Sequence, residues 1–170
     1  MSAAILRHGE LVADNWQTLA ADASAAHIAE CMAAGGPLLL PLPLWLSHRA
    51  ELDPQRAGVL LVAEDGLDAV LPWLDDIPLI AIHFPVFTDG RGYSLARLLR
   101  SRHGYRGELR ATGDVLRDQL YFLHRCGFDA FALRADQAVE EARTAFADYS
   151  WAPLGGRGEG HGMSHNESVE

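Results

Sequence analysis

The chain has 170 residues, and its 14 cationic side chains, all arginine, stand against 23 Asp and Glu for a net charge of −9. Without lysine there is no Schiff-base or lysine nucleophile and no phosphate-loop lysine, and the acidic balance does not suit a general nucleic-acid binder. No apolar run approaches the ~20 residues of a membrane helix, and an apolar fraction of 49% predicts an ordinary globular domain.

Residues 5–12 read as two short strands about a Gly turn, a β-ribbon ahead of the main domain. The first ten residues carry no extended apolar stretch, so no secretory signal is expected. Cys31 and Cys126 lie far apart and outside any CxxC, which fits free thiols in a reducing cytoplasm. Residues 20–34 are Ala-rich and predict a helix stopped by Gly35-Gly36-Pro37.

A rhythm of apolar runs and helical patterns follows. Strands are expected at 38–42, 59–62, 79–82, 108–111 and 129–133. Helical stripes are expected around 44–52, at Leu67, Val70, Leu71 and Leu74, at Leu95, Leu98, Leu99 and Arg102, at Leu116, Leu120, Leu123 and Gly127, and from Val139 to Tyr149. Pro72 should kink or shorten the second of these. The alternation predicts an α/β fold of about five βα units with a parallel sheet, either an open doubly wound sheet or a partial barrel. The expected division is 1–36 for the ribbon and first helix, packed on the main domain. It continues with 37–152 for the parallel α/β domain and 153–170 for a disordered tail poor in apolar residues.

Charge is unevenly distributed. Residues 51–89 hold eight acids and one arginine, whereas residues 91–125 hold eight arginines and three acids. Ligands of parallel α/β folds bind beyond the carboxyl ends of the strands. The residues expected there are Glu64 and Asp65, 83–91, 110–114 and Arg134. Arginine forks beside helix N-termini suit a small oxyanion, which nominates Arg91 and Arg110, oriented by Asp89 and Asp114. Gly90, Gly92, Ser94 and Gly113 would complete the site. The competing reading is a set of structural Arg–Asp pairs. Asp89 and Asp118 are the candidate proton carriers, and Asp114 also suits an N-cap.

Other motifs carry less. Gly90-x-Gly92 lies past its strand and has Leu95 at the third glycine position, so it is no dinucleotide fingerprint. His124 and Cys126, two apart, do not share a helix face. His161 and His165 fall in the tail, where no helix is expected, so no metal site is assigned; no cofactor motif is visible.

Three stretches carry a resemblance. They are Phe-Pro-Val-Phe-Thr-Asp-Gly-Arg-Gly-Tyr-Ser-Leu-Ala-Arg-Leu-Leu-Arg (84–100), Gly-Tyr-Arg-Gly-Glu-Leu-Arg-Ala-Thr-Gly-Asp-Val-Leu-Arg-Asp-Gln (104–119) and Arg-Cys-Gly-Phe-Asp-Ala-Phe (125–131). They resemble a bacterial domain-of-unknown-function family encoded beside the sulfite or nitrite reductase haemoprotein, whose members are labelled oxidoreductases of sulfite reduction. The resemblance implies a cytoplasmic accessory protein of assimilatory sulfate and sulfite reduction, with the reductase haemoprotein as partner. Two alternatives stand beside it. One is an enzyme acting on a sulfur-containing or phosphorylated metabolite. The other is an interaction module that docks the reductase without a small-molecule site.

Overall fold

A computed structural model describes residues 4–147. The chain begins with an antiparallel ribbon, β1 (Ala4–Arg7) and β2 (Glu10–Ala13), closed by the register pair Arg7 and Glu10. The two turn residues, His8 and Gly9, both have positive φ, as a two-residue type I′ hairpin requires. β3 (Gln17–Thr18) follows, a two-residue strand with no sequence signal of its own. The first helix, α1 (Ala25–Ala34), starts later than the Ala-rich composition predicts. Ser24 sets that start, because its hydroxyl accepts the His27 N–H, and Gly35 ends the helix in the left-handed conformation.

The expected alternation then appears as β4 (Leu38–Pro41), α2 (Leu42–His48), β5 (Ala57–Leu61) and β6 (Leu79–Phe84), followed by α3 (Arg91–Ser101), β7 (Glu108–Gly113), α4 (Leu120–Arg125), β8 (Ala130–Phe131) and α5 (Val139–Ala147). The stripe at Leu67, Val70, Leu71 and Leu74 does not become an α-helix. It forms isolated turns, with a short 3-10 helix at Leu71–Trp73. Pro72 lacks an N–H and its ring crowds the preceding turn, so the helical ladder does not propagate. Leu67 and Val70 are nevertheless buried. The tail, with His161 and His165, lies outside the described residues.

The result is a mixed α/β structure on one eight-stranded sheet of order β2-β1-β8-β7-β6-β5-β4-β3. β3 to β8 run parallel in sequence order, and β1 joins β8 antiparallel. Each crossover steps to the next strand in the same direction. The order never reverses, so there is no switch point of the doubly wound kind.

Of the two arrangements open to the sequence, the chain adopts the curled one, a half-barrel. β2 and β3 occupy opposite edges of the sheet, yet only residues 14–16 join them. Four residue steps reach at most ~14 Å, whereas seven flat strand spacings would separate the edges by ~34 Å. Only a strongly curled sheet lets so short a segment connect them.

Strand alternation divides the core in two. Val59, Leu61, Ile80, Ile82, Leu109 and Ala111 belong to the larger cluster shared with the helices. The other face carries Leu39, Leu79 and Ala81, with Trp16 and Leu60 packed against them. Residues 14–16 therefore run over this concave face as a strap. Gly58 lies beneath it, where a Cβ would sit 3.1 Å from the Trp16 ring.

Candidate functional site

The carboxyl ends of β5 to β8 form a rim, built from the loop after β6, the turn after β7 and the exit of β8. Asp89 organises the β6–α3 loop. Its Oδ1 accepts the Arg91 backbone N–H at 3.1 Å and Nε at 3.0 Å, while Oδ2 accepts Nη2 at 2.8 Å. Glu64, after β5, meets the same Nη2 at 2.7 Å. Asp114, after β7, reaches across to that loop and accepts the Phe87 N–H at 2.7 Å. Its other oxygen takes Arg134 Nη1 at 2.7 Å, and Arg134 also forks onto Asp136 at 2.6 and 2.7 Å. Each rim arginine thus faces two carboxylates, which leaves the rim acidic.

The electrostatics follow from those contacts. Arg91 holds the Asp89 carboxyl below its ordinary value, and Arg134 does the same for Asp114. Arg134 brings Asp136 down to about 2. The carboxylates in turn raise the pKa of both guanidinium groups. Asp129, at the start of β8, differs. Burial pushes it up, against the pull of Arg100 and the Leu109 N–H.

The two classes have opposite linkage signs. The lowered acids add stability above the ordinary carboxylate range and lose it as pH falls through their folded values. The contribution of Asp129 is full below its ordinary value and is lost as pH rises through its raised one. Carboxyl-carbon NMR titration should place Asp136 near 2 and Asp129 above the usual aspartate. In Arg134→Gln, Asp136 and Asp114 should move back up; unmoved midpoints would show that Arg134 is not the cause.

The structure sorts the residues that the sequence nominates. Asp89, Gly90, Arg91, Ser94, Gly113 and Asp114 do stand at the rim. Arg110 does not. It is the third residue of β7, in register with Ala81 and Ala130, and points into the concave interior with 2% exposure. Those flanking alanines leave room for a guanidinium. Its donors are taken by Glu108 (2.9 and 2.6 Å) and by Asp14 of the strap (2.8 Å). Each of its three nitrogens is thus bonded to a carboxylate, and at 2% exposure the side chain is closed to solvent.

Gly92 is not an approach point for a ligand either. A Cβ there would lie 2.6 Å from the Phe84 ring, so the glycine lets α3 sit on β6. Asp114 anchors the neighbouring loop and does not cap α4. Gln119 takes part in that anchoring through a 2.8 Å bond to the Phe87 carbonyl. Asp118 is 90% exposed and only loosely near Arg117. Among the described residues no group of three His, Cys, Asp or Glu is placed to hold a metal.

Sequence reasoning missed two parts. Arg100, which no motif singles out, is a staple that donates to the carbonyls of Gly127, Tyr105 and Gly107 and to Asp129. Asp14 had no signal at all, because its importance depends on the curl of the sheet. The rim also exposes apolar side chains. Val86 and Phe87 are about half exposed, and Phe122 on α4 is 65% exposed.

A search of the curated proteins finds no match. The family described as "Bacterial protein of unknown function (DUF934)" matches residues 58–152. That span begins in β5 and contains every rim residue and Arg110, while the ribbon, the Asp14 strap and α1 fall outside it. The match covers more than half of the sequence, and the chain belongs to this bacterial family, DUF934.

Proposed function

We propose that the chain is a cytoplasmic accessory protein of assimilatory sulfite reduction that works by docking on the reductase haemoprotein. The carrying observation is the exposed patch of Val86, Phe87 and Phe122 beside a rim whose arginines are already engaged by carboxylates. Gln119 ties Phe87 to the start of α4, one turn before Phe122. Arg125 shares α4 with Phe122 and donates to the Tyr121 hydroxyl at 2.9 Å. Exposed aromatics among arginines are the composition of binding hot spots, and contiguous exposed apolar groups mark interaction surfaces.

Purified chain and purified reductase haemoprotein should co-elute in size-exclusion chromatography. Phe87→Ala with Phe122→Ala should weaken the complex at least about tenfold. Separate elution of the wild-type proteins would overturn the docking. A deletion strain should grow on sulfide or cysteine but not on sulfate or sulfite; normal growth on sulfate would remove the pathway.

A second reading keeps a small oxyanion at the start of α3. Its support is the 58% exposure of the Arg91 side chain and the exposed Ser94 in the first helical turn. In that reading the anion displaces Glu64 from Arg91. Calorimetry with sulfite, sulfate and phosphate tests it, and binding that survives Arg91→Ala would refute it.

A further inference from the structure

α1 carries His27, Glu30 and Cys31 at positions i, i+3 and i+4, spacings that bring side chains together on one helix face. His27 Nε2 lies 3.7 Å from Cys31 Sγ, within hydrogen-bond reach of a large sulfur atom. The other ring nitrogen, Nδ1, lies 3.8 Å from Glu30 Oε2. From β3, the Gln17 side-chain amide donates to the same Sγ at 3.4 Å. The thiol therefore has a base beside it, a carboxylate stands at ion-pair distance on the far side of that base, and the sulfur has a donor for the charge it acquires. This is the arrangement of an activated nucleophile.

We infer that Cys31 is a site of reversible S-thiolation by low-molecular-weight disulfides. His27 Nε2 takes the Sγ proton. The thiolate attacks one sulfur of the disulfide, its S–S bond breaks, and a new S–S bond to Cys31 forms. The released thiolate takes the proton from the His27 imidazolium and leaves as a thiol. Cys31 is oxidised, the departing half of the disulfide is reduced, and an excess of thiol reverses the exchange.

Access is controlled by the sheet edge. Cys31 is 6% exposed, and two exposed side chains, His27 and Gln17, reach its sulfur from the solvent side. Gln17 belongs to a two-residue edge strand whose residues are both exposed, and swinging its side chain aside leaves the backbone pairing to β4 intact. The site lies away from the docking patch and outside the part of the chain that the family match covers. Cys126 serves as an internal control. It is also a free thiol, but half-buried at the end of α4, where burial pushes its pKa up.

The full-length protein is exposed at neutral pH to dithiodipyridine, a small disulfide, and the adducts are mapped by mass spectrometry. Cys31 should react about tenfold faster than Cys126. His27→Gln should slow Cys31 about fivefold or more while leaving Cys126 unchanged. His27 is half exposed, so this substitution does not threaten the fold, and an unchanged Cys126 rate verifies that. Cys31 reacting no faster than Cys126, reacting only after denaturation, or ignoring the loss of His27 would overturn the inference.

Discussion

Arg110→Met should destabilise the protein by about 3–5 kcal/mol, the cost of removing one partner from a buried ion pair. Arg110 is 2% exposed, and its partners Asp14 and Glu108 are themselves only 19% and 16% exposed. Without the guanidinium, two mostly buried carboxylates would be left without the cation between them. Arg7 reaches Glu108 only at 3.5 Å and does not replace it. Arg91→Met is the control. Its guanidinium is 58% exposed, so water replaces it at Asp89 and Glu64, and its loss should cost far less. Urea unfolding of both variants gives the comparison. Adding Asp14→Asn and Glu108→Gln to Arg110→Met should recover much of the loss, because no charge is then stranded. Equal, small effects for the two arginines would contradict a structural role for Arg110.

Gly113→Ala should cost about 2–5 kcal/mol, combining a left-handed backbone penalty with overpacking. Gly113 ends β7 at φ +90, where a Cβ would sit 2.3 Å from the Phe84 carbonyl oxygen and 2.7 Å from the His83 ring. The carbonyl is backbone and cannot swing aside. It also accepts the Asp114 N–H at 2.8 Å, so a shift there would disturb the loop anchor as well. Gly90→Ala is the matched control. Its φ is −73 and nothing lies within 4 Å of an added Cβ, so the change should stay below about 1 kcal/mol. Thermal melts of the two variants test this. A normal melting temperature for Gly113→Ala would show that the glycine is not there for steric reasons.

These two residues show how far the candidate site was legible. Gly113 and Arg110 are both singled out by the sequence as parts of an anion-binding rim, on their position near the end of one strand. For Gly113 the rim placement is correct, but the reason for the glycine lies in Phe84 and His83, a strand away. For Arg110 the error is one of depth. The alternation of Glu108, Arg110 and Thr112 with Leu109 and Ala111 shows that they share a face. It does not show that this face is the inside of a curl, sealed by an aspartate 96 residues earlier. Asp89 and Arg91 were placed correctly because their contact is local: a carboxylate and a fork two residues apart in one loop.

By itself the sequence determined the ribbon, the alternation of parallel strands and helices, the helix stop at Gly35, and the loop pair of Asp89 and Arg91. All of these rest on interactions within a few residues or on the period of the apolar pattern. The tertiary structure alone decided that the sheet curls, that Asp14 straps across it, that Arg110 is enclosed, and that Asp114 holds the Phe87 loop. Each of these depends on which strands become neighbours and on the short connection from β2 to β3. That closure is long-range geometry, and it turns a surface arginine of the sequence into the buried ion pair at the centre of the half-barrel.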